Sequence, residues 1–202
     1  MPTLLLATNN AGKRQEISEL LGDLTVTLLR PSDVGADGEV AETGATYAEN
    51  ARLKAETLAR ATGLLTLADD SGLEVEALGG APGVYSARYA GPGASEADRR
   101  AKLLHALSAT PAPRRARFRC VIALAIPAAA AAPDEVLLFE GVCPGEIALA
   151  ERGTHGFGYD PVFWLPELGV TMAELPAHEK HRLSHRGRAL QAALPTVRRL
   201  LA

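Results

Sequence analysis

Cysteine is scarce: two residues, Cys120 and Cys143, in a chain of 202. Two thiols cannot build a disulfide framework, so both read as small buried hydrophobes in a protein suited to a reducing cytoplasm. Long hydrophobic runs are missing as well. The longest, "CVIALAIPAAAAAP", is interrupted by Pro127 and is too short to span a bilayer as a helix. The opening "MPTLLLATNN" carries no basic leader and no cleavage-like site. Together these absences predict a soluble protein without a membrane partner. Nor is there an excess of one charge. The formal net charge is −3, which argues against a nucleic-acid or membrane-surface binder. No internal repeat is visible, and Ala128 to Ala132 is the one low-complexity run.

What remains is ordinary globular material, 47% hydrophobic and 22% charged, enough for one domain over residues 1–202. "TLLLA" (Thr3 to Ala7) reads as a buried strand, "TNNAGK" as a loop, and "RQEISELLGDL" as a helix with Ile17, Leu20 and Leu21 on one face. "TVTLLR" is a second strand and Glu39 to Gly44 a loop. Thr46 and Glu49 form a capping box for a helix that ends at Gly63. "LLTLADDSGLEV" (Leu64 to Val75) is a strand whose apolar part ends at two aspartates, a Gly/Pro loop follows it, and Ser95 with Asp98 begins a further helix. Arg117 to Ile126 alternates as a strand, "PAAAAAPDE" connects it to an antiparallel partner "VLLFEGVC", and "GEIALA" continues the series. Helices are expected around Thr171 to Leu175 and from Ser184 onward, the last kinked or restarted at Pro195. Early alternation of strands and helices, followed by hairpin-like strands, predicts an α/β fold with a mixed sheet.

Several stretches carry more chemistry than a fold needs. A strand that runs into two carboxylates, Asp69 and Asp70, points them to opposite faces unless the chain turns at Ser71-Gly72. They either cap a strand end in solvent or sit where α/β proteins bind ligands. "TNNAGK" lacks Walker spacing, yet Thr8, Asn10 and Lys13 place a hydroxyl, an amide and a cation at a strand-to-helix turn suited to phosphate oxygens. The alternative there is a capped helix with a solvated lysine. Glu42 is a metal ligand or a helix-favouring acid; Asn50 and Lys54, four apart, share a helix face. "GTHGFGYDP" surrounds Phe157 with glycines, giving either a tight turn or a close approach to a ligand beneath an aromatic ring. "EKHRLSHRGR" is a basic helical face, without the interleaved aromatics of a nucleic-acid surface. Acids for Mg²⁺, cations for phosphates and an aromatic in a glycine loop together suit a nucleoside triphosphate and its metal.

Five segments carry a resemblance: "TNNAGK", "ETGATYAENARLKA", "ADDSGLEVEALGGAPGVYSARYAG", "GFGYDPVF" and "SHRG". In this order and spacing, from Leu5 to about Leu190, the chain resembles the inosine/xanthosine triphosphate pyrophosphatase family. That resemblance implies a long mixed central β-sheet with flanking helices, two lobes with a cleft between them, and a homodimer. It implies Mg²⁺-dependent hydrolysis of dITP, ITP and XTP to the monophosphate and pyrophosphate, clearing non-standard purines. By position, Asp70 corresponds to the general base, and Asp70 with Glu42 to the metal-side acids. Thr8, Asn9, Asn10, Ala11, Gly12 and Lys13 correspond to the triphosphate loop, Lys54 to a phosphate-side lysine and Ser71 to a substrate contact. Phe157, Gly158, Tyr159 and Asp160 correspond to the base-binding loop, and Lys180, His185 and Arg186 to the remaining nucleotide contacts. Ala41 stands where many relatives carry a second glutamate, and His155 where a glycine is common.

On this basis water attacks the α-phosphorus with Asp70 as base, while His185, Arg186 and backbone N–H groups near Phe157 are candidate donors to a purine 6-oxo group. A pyrophosphatase of modified pyrimidine nucleotides, or a nucleotide sensor that does not hydrolyse, would share parts of this inventory.

Overall fold

The structure, a computed structural model, describes residues 1–36, 38, 40–128 and 135–202. Seven strands form one mixed sheet: β1 (Thr3–Leu6), β2 (Thr27–Leu29), β3 (Thr66–Val75), β4 (Arg115–Ile126), β5 (Glu135–Ile147), β6 (Phe163–Leu165) and β7 (Val170–Thr171). Their order is β2-β1-β3-β4-β5-β6-β7. β1 pairs in parallel with β2 and β3, whereas β6 is antiparallel to both β5 and β7. Among the described residues five α-helices accompany them: α1 (Ala11–Leu20), α2 (Tyr47–Thr62), α3 (Glu96–Ala106), α4 (Ala177–Leu183) and α5 (His185–Leu201). The α/β class and the mixed sheet expected from the pattern are both present.

The chain forms two compact units. One comprises Met1–Asp70, Cys120–Gly141 and Arg186–Ala202; the other comprises Ser71–Arg119 and Val142–His185. Each has its own apolar core. In the first, Leu4, Leu6 and Leu67 from the parallel strands meet Ile17 and Leu21, the inward residues of β4 (Cys120, Ile122, Leu124), and Leu190 and Val197 of α5. In the second, Leu73, Val75, Leu103, Leu107, Phe118 and Phe163 pack together, with Phe118 and Phe163 ring centroids 4.3 Å apart.

Helix boundaries follow their chemistry. Thr46 and Glu49 cap α2 reciprocally, and Gly63 closes it at φ +67°, a left-handed conformation that glycine adopts without a Cβ penalty. Ser95 and Asp98 cap α3 in the same way.

Several expectations need correction. β3 does not end or turn at the aspartates; it runs straight through Asp69, Asp70, Ser71 and Gly72 to Val75. "GEI" belongs to β5 rather than to a separate strand. Thr171 to Leu175 is one 3-10 turn (Met172–Glu174) after β7, because the Thr171–Glu174 capping box starts a helix that cannot run on past Pro176. The basic segment is two helices, separated by an extended Ser184, and Pro195 lies inside α5 without ending it. Most of the "PAAAAAPDE" connection, and Glu39 of the earlier loop, lie outside the described residues.

Candidate active site

The first unit gathers its polar groups just past the C-terminal end of β1 and along β3 beyond the Leu5–Thr66 and Leu6–Leu67 parallel pairs, the side of an open α/β sheet that holds ligands. After β1, Thr8 to Lys13 turn the chain into α1. The Asn10 side chain accepts the Lys13 N–H (3.0 Å) and caps the helix, while Thr8 Oγ1 accepts the Asn10 N–H (3.2 Å). Asn9 is held by its carbonyl, which accepts from Arg14 (2.7 Å). Ala11 and Gly12 form the first turn of α1. Thr8 and Asn10 thus shape the turn, and the Lys13 side chain extends to Asp69, Nζ lying 3.1 Å from Oδ2.

Asp69 and Asp70 are neighbours on one strand, both buried, with opposite electrostatic fates. Asp69 is fully buried and accepts from Arg186 Nε (3.2 Å) and Nη2 (3.1 Å) as well as pairing with Lys13. Burial alone would raise its pKa, but Lys13, Arg186 and Lys54 outweigh it and hold the carboxyl well below the usual carboxylate range. Arg186 also donates to Glu16 of α1, so this guanidinium faces two carboxylates in the interior at 2% exposure. This is the guanidinium expected from the motif to reach the nucleotide.

Asp70 has milder surroundings. Asn50 Nδ2 donates to its Oδ2 (3.1 Å), and Lys54 Nζ stands 3.7 Å from Oδ1. Here burial prevails over the Lys54 and Lys13 charges, and the pKa is raised above the ordinary value. Asn50 is itself fixed, because its Oδ1 accepts the Gly44 N–H (2.8 Å), which leaves the amide nitrogen for Asp70. Lys54 is no solvated lysine. Its Nζ contacts Glu42 Oε1 (2.6 Å) and the Asp69 carbonyl (2.7 Å). Burial pulls its pKa down, but Asp69, Asp70 and Glu42 more than compensate, so it is raised and the ammonium stays charged.

Glu42 and Asp70 therefore flank one ammonium. Among the described residues no group of three or more His, Cys, Asp or Glu side chains is arranged to hold a metal. Two carboxylates are nevertheless what Mg²⁺ commonly takes from a protein when substrate oxygens and water complete its shell, so the donor set fits that ion.

In the second unit, the segment around Phe157 is held by its own side chains. Asp160 Oδ2 accepts the Phe157 N–H (2.9 Å) and pairs with Lys180 Nζ at 2.5 Å, both groups buried. Lys180 Nζ also lies 5.0 Å from the Phe157 ring centroid. Gly156, at φ +73°, has no room for a Cβ: one would fall 2.1 Å from Asp160 Oδ2. The Tyr159 hydroxyl donates to the Ser86 carbonyl (2.9 Å), and Ser86 Oγ accepts the Leu73 N–H of β3 (2.9 Å). Ser71 is partly exposed on β3. His185 is buried and stacks on Phe118 at 4.6 Å between centroids.

Sequence reasoning passed over Glu16, Ser86, Glu96, Arg100 and Phe118, and noted Asn50 only for sharing a face with Lys54. Glu16 had a usable signal, since it lies three residues after Lys13 and so on the same helix face. The others act across long chain separations that no local spacing reveals.

The Ham1 family model matches residues 4–196. A dITP/XTP pyrophosphatase of Yersinia pseudotuberculosis is 48% identical over 199 residues, covering 98% of this chain and 99% of that protein. One of Syntrophobacter fumaroxidans is 52% identical over 187 residues, 93% of this chain and 78% of its own length. Among solved structures, a HAM1 protein from Coxiella burnetii superposes with a TM-score of 0.85 at 44% identity, covering 99% of this chain and all of that one.

Proposed function

The chain belongs to the Ham1 family, and from that premise we propose that it is a nucleoside-triphosphate pyrophosphatase acting on dITP, ITP and XTP. The observation that carries the proposal is the divergence of the paired aspartates. Asp69 is locked as an anion by Lys13 and Arg186, whereas Asp70 is buried with a raised pKa and a single amide donor. Two adjacent acids driven apart in this way are the mark of a structural carboxylate beside a proton acceptor.

In this mechanism Asp70 takes the proton from the water that attacks the α-phosphorus, and the α–β anhydride bond breaks to release pyrophosphate. Such a base contributes ~10²–10⁴-fold. Lys54 and Lys13 hold phosphate oxygens and oppose the charge that grows on the leaving group. Thr8 to Lys13 supply the phosphate-binding turn. Mg²⁺, carried by Asp70 and Glu42, would supply Lewis-acid neutralisation of the same oxygens. The Phe157 ring stacks on the purine, and Ser71, Lys180 and His185 are the further nucleotide contacts in this assignment. A site that hydrogen-bonds a 6-oxo group discriminates against a 6-amino group by ~10⁴ or more. A cytoplasmic homodimer belongs to the same proposal, and light scattering on the purified protein tests its oligomeric half.

The deciding experiment is pyrophosphate release from dITP, XTP and dATP with Mg²⁺. Rapid release from the first two and little from dATP is expected. Equal rates on all three, or none on any, would overturn the assignment.

A further inference from the structure

We propose that Glu96 and Arg100 of α3 are positioning residues for the purine subsite, setting the Phe157 ring by gripping its neighbour Gly158. This rests on the function proposed above. The Gly158 N–H donates to Glu96 Oε2 at 2.8 Å, and its carbonyl accepts from Arg100 Nη1 at 2.9 Å. Glu96 and Arg100 are four residues apart, so they share a face of α3, and one helical turn holds both polar groups of a single residue.

Gly158 needs holding. Its φ is +63°, although no atom beyond its two chain neighbours lies within 4 Å of where a Cβ would stand. The requirement is conformational rather than steric: glycine can adopt many conformations, and the two bonds to α3, added to the Asp160 N–H to Phe157 carbonyl bond (3.2 Å) that closes the turn, select this one. Both of those bonds involve an ionised side chain and belong to the stronger class.

The grip is itself anchored. Arg100 Nε lies 3.0 Å from Glu151 Oε2, which ties down the start of the same segment, and the arginine side chain is 14% exposed. The other oxygen of Glu96 is 3.7 Å from Arg99, whose Nη1 donates to the carbonyls of Ala87 and Ala94 (3.0 Å each). Asp160 and Lys180 fix the Phe157 N–H and approach its ring, and α3 fixes the next residue. With α3 disengaged, the segment would lose the restraint next to the ring and the purine platform part of its preorganisation. Ground-state binding of the base would suffer, while proton transfer at Asp70 would not.

The test uses the full chain and compares E96A, E96Q and R100A with the unmodified protein on dITP and dATP. E96A and R100A should raise KM for dITP about tenfold, in line with loss of one charge-assisted hydrogen bond. They should lower the preference for dITP over dATP and leave kcat within about twofold. E96Q retains an oxygen acceptor for the Gly158 N–H and should recover most of the lost KM. Amide exchange across residues 156–160 should quicken in E96A and R100A but not in E96Q. A fall in kcat at constant KM, unchanged exchange, or E96Q as impaired as E96A would each overturn the inference. If the unmodified protein releases no pyrophosphate from dITP, the functional proposal fails, and the exchange measurement still decides whether α3 positions the segment. Glu96 lies outside the apolar core, so E96A carries the test should R100A fail to fold.

Discussion

At the scale of single residues, Asp69 and Asp70 separate stability from chemistry. Asp69→Asn removes the charge that balances Lys13 and Arg186 in a fully buried setting, and breaking such a pair costs ~3–5 kcal/mol. Chemical denaturation at pH 7 should show a loss of that size. Asp70→Asn should cut turnover by ~10²–10⁴-fold without comparable destabilisation. The sign follows from linkage. Burial raises the Asp70 pKa in the folded state, so folding favours the protonated carboxyl, and this contribution is lost as pH rises through the folded value. An asparagine resembles the protonated form. The variant should therefore be at least as stable as the parent at pH 7, the difference closing as pH falls towards the ordinary value of 3.8.

At the scale of elements, α2 presents both Asn50 and Lys54 to Asp70, so its start governs the site. Thr46→Ala removes the cap and should cost ~1 kcal/mol by thermal denaturation. In β5, a Cβ on Gly145 would fall 2.6 Å from the Phe163 ring and from the Trp164 carbonyl, so Gly145→Ala should destabilise by ~1–3 kcal/mol. What the sequence made legible was local. The capping boxes at Thr46 and Ser95, the Gly63 terminator and the two-residue period of Phe118, Cys120, Ile122 and Leu124 all act within a few residues and were readable. The continuation of β3 through two aspartates was not, because the partners that make their burial tolerable, Lys13, Arg186, Asn50 and Lys54, come from three other helices. Arg186 illustrates the limit: a basic motif reveals a cation but not the carboxylates that surround it. Likewise Pro195, expected to kink or restart the last helix, does not restart it: α5 continues through the proline, and its face of Ala189, Leu190, Ala193 and Val197 is buried in the first core.

At the scale of the whole molecule, each unit carries one cysteine in its apolar core, Cys120 in the first and Cys143 in the second. Burial pushes the Cys120 thiol up to about 12, far from the thiolate form that reacts. Both thiols should resist alkylation in the native protein and become labelled in step with unfolding as denaturant is raised. Fast labelling of either at pH 7 without denaturant would show that its core opens locally. Because the two report on different cores, mass-resolved labelling also reads whether these lose protection at one denaturant concentration or at two.

The Asp69–Arg186–Glu16 cluster has a consequence for how the protein is made. Asp69 lies 117 residues before Arg186 in the chain, and Glu16 lies 170 before it. During translation the two acids leave the ribosome long before the guanidinium that neutralises them, as do Leu4, Leu6 and Ile17 before their α5 partners Leu190 and Val197. The nascent first unit must wait, open and hydrated, for its last segment. Stalled chains arrested before residue 186 should accordingly remain protease-sensitive across residues 1–70, and chains long enough to expose α5 outside the ribosome should become resistant there.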